Sequence, residues 1–205
     1  PSPATVGARG SEVQLGQSER GSTAQHALSG SVVDIDSGRP LAATIHLSSG
    51  LGFSASLEAA AAGEFDSGPL PPGKFRARVF ASCYEPAEFE LTLPHPGTGT
   101  DVRIALRSLR VIALDTYDRV ARRVVGASFV RVRTVRELLA AAVSGGRAGP
   151  SLETLAQSVE HMAYARAIPF ESDLRDLQRR AASALDEIAP RAPDPQNPGS
   201  GRLEA

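Results

Sequence analysis

The fold is decided by the stretch LSGSVVDIDSGRPLAATIHLSS, residues 28–49. Leu28, Gly30 and Val32 fall on one face of an extended chain, and Ala43, Ile45 and Leu47 do the same after Asp36-Ser37-Gly38-Arg39-Pro40. A period of two broken by a Gly/Pro turn marks half-buried strands. The alternation recurs at Phe75, Ala77 and Val79, at Phe89, Leu91 and Leu93, and at Val102, Ile104 and Leu106. Pro71-Pro72-Gly73 and His95-Pro96-Gly97 supply further turns. Short strands at this spacing predict an antiparallel β-sandwich of about seven strands over residues 26–107. Residues 55–63 (ASLEAAAAG) break the pattern. Their alanines favour helix, so they are expected to form an irregular loop or one helical turn.

Beyond Ser108 the period becomes helical. Leu109, Ile112, Ala113, Val120 and Val124 form one stripe. Thr134 and Glu137 make a Thr-x-x-Glu capping box ahead of Leu138 and Leu139, and Gly145-Gly146 ends that helix. Ser151 is expected to cap a third helix carrying Leu152, Leu155, Val159 and Met162. Ser172 is expected to cap a fourth carrying Leu174, Leu177, Ala181 and Leu185, stopped by Pro190. Residues 108–188 therefore predict a small bundle of about four helices. Residues 1–25 lack an apolar period and are expected to be a flexible leader, and the Pro- and Gly-rich residues 189–205 a disordered tail. The fold class expected is α+β in two segregated domains.

The ordered motifs of the strand region resemble the carboxypeptidase regulatory-like domain, a prealbumin-type (transthyretin-like) β-sandwich. They are Gly30, Val32 and Asp34, then Gly38 and Pro40, Ala43 and Ile45, Gly63 and Phe65, Pro71, Pro72, Gly73 and Phe75, and finally Tyr84. Cys83 departs from the pattern, since the family usually has glycine there. If that position needs a positive φ, cysteine is a poor occupant and the turn is expected to be reshaped. Residues 108–188, including the Leu109–Val125 stretch with its arginine-rich flank, resemble a helical module of unknown function found at the C-terminal end of bacterial transglutaminase-like membrane proteins. The matching positions are Thr134, Arg136, Glu137, Leu152, Leu155, Ala163, Tyr164 and Glu171 to Asp173. No glycine follows Tyr164, and the tryptophan common before the threonine is absent. These resemblances imply a non-catalytic part of an envelope-associated bacterial protein, extracytoplasmic by preference, with no cofactor.

Composition narrows the partners. Twenty-two basic against 23 acidic residues give a net charge of −1, so no global field draws in nucleic acid or an anionic membrane. Lys74 is the single lysine, a bias that fits a GC-rich genome better than selection for phosphate contacts. One cysteine, Cys83, excludes an intramolecular disulfide and a cysteine metal site. No apolar run approaches the ~20 residues of a membrane helix. The start at Pro1 fits a processed form or a fragment whose anchor lies elsewhere.

Candidate chemistry is sparse. His26, His46, His95 and His161 are scattered, and His46 alternates with Ile45 and Leu47, so it is expected to face outward. Glu160-His161 lacks the second histidine of a zinc-protease helix, because position 165 is Ala165. No Gly-x-Ser-x-Gly elbow exists. Gly50-Leu51-Gly52 and Gly145-Gly146-Arg147 lack the frame of a phosphate loop. The expectation is no enzyme and no metal site. The one candidate interaction patch is arginine-rich: Arg107, Arg110, Arg119, Arg122, Arg123, Arg131 and Arg133, flanked by Arg103 and Arg136. It would meet an acidic protein surface or anionic headgroups; the alternative is a solvated helix face, with Asp115 and Asp118 pairing at helical spacing. Tyr164 and Phe170 flank a helix break and are expected to pack into the bundle. The function read from the sequence is a protein-interaction or scaffold module, with a carbohydrate-binding module as the alternative and a hydrolase fragment behind it.

Overall fold

The structure is a computed structural model, and it describes residues 4–8, 11–18, 26–93, 99–126, 134–145, 148–165 and 168–188. It divides into two compact units, Pro1–Ile112 with Ile168–Glu171, and Ala113–Ala167 with Ser172–Ala205. The first carries the strands and the second most of the helical residues, so the chain is mixed α+β with a sandwich-like N-terminal part and a helical C-terminal part. The boundary falls inside the first helix rather than before it, and residues 168–171 return to the strand unit.

The strand unit holds β1 (Ala4–Ala8), β2 (Ser11–Ser18), β3 (His26–Asp34), β4 (Ala43–Ser49), β5 (Ser54–Ala59), β6 (Glu64–Leu70), β7 (Gly73–Phe80), β8 (Ala87–Leu93) and β9 (Gly99–Leu106). They form a five-stranded sheet in the order β1-β2-β9-β3-β6 and a four-stranded sheet in the order β5-β4-β7-β8. Each alternating set named above lies inward: Val32, Ile45, Leu47, Ala77, Val79, Leu91, Ile104 and Leu106 are all within one buried cluster.

Four expectations are corrected. The sandwich has nine described strands rather than about seven, because residues 4–8 and 11–18 of the supposed leader are β1 and β2. Only Val13 and Leu15 signal them, and the rest is supplied by seven residue pairs between β2 and β9. The second correction concerns residues 55–63. Ser54–Ala59 is strand β5, paired with β4 from Ser48↔Ser54 to Ala43↔Ala59, with Leu57 and Ala59 buried. Pairing and burial outweigh the helical preference of alanine, which is worth only about 1 kcal/mol against a good strand former. Third, the five-stranded sheet is mixed, since β3 and β9 run parallel. Fourth, the turn before Tyr84 is not reshaped: Cys83 holds φ 70°, the one positive φ of a non-glycine among the described residues.

Glycine is required where backbones touch. A Cβ on Gly30 would lie 2.0 Å from the Val102 carbonyl oxygen of β9, and one on Gly63 would lie 2.5 Å from that of Val32. The Ala60–Gly63 turn joins β5 to β6, the outer strands of the two sheets at one side; at the other side β1 approaches β8. Outer strands are shielded in this way from pairing with other chains.

The helices are α1 (Leu109–Val125), α2 (Val135–Ser144), α3 (Pro150–Tyr164) and α4 (Glu171–Ile188). The helical unit buries Ala113, Tyr117, Val120 and Val124 of α1 with Leu138, Leu152, Leu155, Val159, Leu174 and Leu177. The capping box of α2 forms as read: Glu137 N–H donates to Thr134 Oγ1, and Thr134 N–H to Glu137 Oε2 at 2.8 Å. Two other caps differ from expectation. The N-cap of α3 is Gly149, with Pro150 following it, and α4 begins at Glu171, which places Ser172 inside the first turn. A side chain from α4 does the capping of α3: Ser151 N–H and hydroxyl both donate to the Glu187 carboxylate. A Cβ on Gly149 would lie 2.4 Å from Glu187 Oε2, so glycine makes room for it.

Candidate interaction surface

At the end of the strand unit where β9 leads into α1, three segments meet on one carboxylate. Asp34 ends β3 and is buried. Its Oδ1 accepts from Ser37 N–H at 2.7 Å, Ser37 hydroxyl at 2.9 Å and Asp36 N–H at 3.0 Å, and its Oδ2 accepts from Tyr84 hydroxyl at 2.8 Å. Burial works to raise the Asp34 carboxyl, but these four bonds outweigh it and hold its pKa below the ordinary value. A depressed carboxyl stabilises the fold above its unfolded pKa, and that contribution is lost as pH falls through the lowered folded value. Tyr84 is pushed up to about 12 by burial and by its bond to the carboxylate. Next to it, Glu85 is raised by burial, opposed by Arg107 and reinforced by Glu171. Glu171 thus acts on this end of the strand unit.

Just before Glu171 the chain presents Ile168 at 53 % and Phe170 at 67 % exposure, on either side of buried Pro169. The proline turns inward and the flanking side chains outward, the alternation of an extended segment. Tyr164 is also exposed, at 66 %. The expectation that Tyr164 and Phe170 pack the bundle is therefore corrected: α3 buries Val159, Met162 and Ala163, and Tyr164 falls off that stripe.

The arginines distribute over both units. Arg107 and Arg110 are half-buried in the strand unit, Arg119, Arg122 and Arg123 are exposed on α1 in the helical unit, and Arg131 and Arg133 lie outside the described residues. Arg122 pairs with Asp118 four residues earlier, as the spacing predicts. Arg136 pairs with Glu160 at 2.7 Å and Arg103 is exposed on β9. Exposed pairs of this kind add little to stability, because water screens them.

His46 faces outward as read, set edge to face against Phe80 with centroids 5.6 Å apart at 66°. Arg78 lies over the same Phe80 ring, and Arg76 and Arg78 pair with Glu88 across β7 and β8. His161 is exposed on α3. Among the described residues no three His, Cys, Asp or Glu side chains are grouped to hold a metal ion, and no helix is long and apolar enough to cross a membrane.

No protein-family model matches the chain, and no curated protein matches it. Among solved structures, 3-chlorocatechol 1,2-dioxygenase from Rhodococcus opacus 1CP overlaps 42 % of this chain and 61 % of its own, at a TM-score of 0.34 and 14 % identity. A "putative carbohydrate binding protein" from Bacteroides uniformis ATCC 8492 overlaps 42 % of each chain, at a TM-score of 0.32 and 14 % identity. The overlap spans less than two thirds of either structure. Likeness at this level bears on neither the family nor the activity of this chain.

Proposed function

We propose that this chain is a non-catalytic protein-interaction module of an envelope-associated bacterial protein, built on a prealbumin-type sandwich of the carboxypeptidase regulatory-like kind. Its partner is a protein, met outside the cytoplasm. The observation that carries the reading is the Ile168-Pro169-Phe170 segment, where two large apolar side chains face water around an inward proline. Burying such a side chain is worth about 1.5–3 kcal/mol, which a partner surface would recover. Aromatic and arginine side chains dominate binding hot spots, and Arg107 belongs to the same unit. The family reading is supported by motif residues standing where their chemistry is needed. Gly63 takes a positive φ, Asp34 ties its turn, and Cys83 adopts the conformation that glycine would take in the family pattern.

The test is capture from an envelope extract of the source bacterium, comparing the wild-type chain with Ile168→Ser/Phe170→Ser. A protein held by the wild type and reduced at least tenfold with the variant, at unchanged melting temperature, is expected. Equal capture by both, or no envelope protein held at micromolar bait, would refute the reading. Against the carbohydrate alternative stands the scarcity of aromatic side chains, with no tryptophan in the sequence. A glycan array is expected to be blank.

A further inference from the structure

Asp34 does more than close its own turn. Through Tyr84 it reaches the connection between β7 and β8, and that connection holds the start of α1. Leu109 N–H donates to Cys83 O at 2.9 Å, Glu85 N–H donates to Arg107 O at 2.9 Å, and Tyr84 bridges Ser108. On the other side, Ile35 N–H donates to Leu106 O at 2.9 Å, so the residue after Asp34 grips the last residue of β9. The strand end, the turn at residues 34–39 and the first turn of α1 are thus linked through one carboxylate and one phenol. All of these residues belong to the strand unit.

We propose that the Asp34–Tyr84 pair is a latch that holds the first turn of α1 onto the sandwich. Tyr84 is the only side chain seen to reach from the β7–β8 connection to Asp34 among the described hydrogen bonds. Cys83 sits at positive φ, a conformation strained for a residue with a Cβ, and its carbonyl is the acceptor for Leu109. The anchored neighbour Tyr84 holds that conformation in place. The turn that supplies the other half of the latch is exposed from Asp36 to Pro40, so it is open to a partner. Displacing that turn withdraws the Asp36 and Ser37 donors that orient the Asp34 carboxylate, and so loosens its hold on the Tyr84 hydroxyl and on the connection that holds Leu109.

Residue-resolved amide hydrogen exchange on the full chain tests the latch, with Tyr84→Phe and Asp34→Ala. In Tyr84→Phe the Leu109 and Glu85 amides are expected to exchange about tenfold faster, the effect of losing one hydrogen bond of about 1.4 kcal/mol. Ser37 keeps its protection in that variant, because its acceptor remains. In Asp34→Ala, which removes both acceptor oxygens, Ser37 joins Leu109 and Glu85. The amides of Ile45 and Val79 stay unchanged in both variants. Leu109 and Glu85 unchanged in Tyr84→Phe would overturn the proposal, as would acceleration spread equally to Ile45 and Val79. Should Asp34→Ala not fold, the milder Tyr84→Phe still decides.

Discussion

In the sandwich the tightest glycine positions meet backbone, whereas in the helical unit the tightest meets the end of a long side chain. Gly30 lets β3 come against the Val102 carbonyl, and Gly63 lets the β5–β6 turn come against Val32. In the helical unit Gly149 makes room for the Glu187 carboxylate, and Tyr117 hydroxyl reaches the Val135 carbonyl at 3.1 Å. A ladder fixed at seven consecutive residue pairs, as between β3 and β9, cannot yield at one residue without disturbing its neighbours. A glutamate can rotate away and leave its helix standing. The sandwich is therefore expected to be brittle at its glycines and the helical unit forgiving.

The sharpest way to break this contrast is to place the same methyl group in both. Gly30→Ala is expected to cost about 3 kcal/mol or more, because the atom it meets is a carbonyl in the middle of a ladder. Gly149→Ala is expected to cost about 1 kcal/mol, the worth of the displaced Glu187 cap. Urea unfolding of the two variants gives the ratio; equal costs would dissolve the contrast. A smaller effect tests whether the sandwich core is apolar throughout. Thr100 of β9 is buried, and its hydroxyl has no hydrogen-bond partner among the described residues. Thr100→Val keeps the shape and removes the orphan, and is expected to raise stability by about 1 kcal/mol, read from the same urea curves. Smallest is Cys83→Gly, which exchanges the strain of positive φ for a more flexible unfolded chain. The net gain is about 0.5 kcal/mol, seen as a small rise in melting temperature.

The interaction site divides along a different line. The arginines are conspicuous in the sequence, yet they distribute over both units, and exposed cations such as Arg122 are engaged locally by Asp118. The exposed pair Ile168 and Phe170 carries a signal, since Ile168-Pro169-Phe170 places two large apolar residues around a helix break. Pattern alone assigns such residues to a core. Their exposure goes with the burial of Pro169 between them, which no local pattern announces.

Local chemistry was sufficient wherever a residue's role is decided by its near neighbours in the chain. The alternation of β3, β4, β7, β8 and β9 and the Thr134–Glu137 capping box follow from periods and turns a few residues long. Tertiary structure alone decided the rest. β2 is a strand because β9 offers it a ladder, and β5 is a strand because β4 outbids alanine's preference for helix. The cap of α3 comes from Glu187, 36 residues after the serine it holds, and Tyr84 finds Asp34 across 50 residues. For β2, the cap of α3 and Tyr84 the deciding hydrogen-bond partner is remote in sequence, so no local period can announce it.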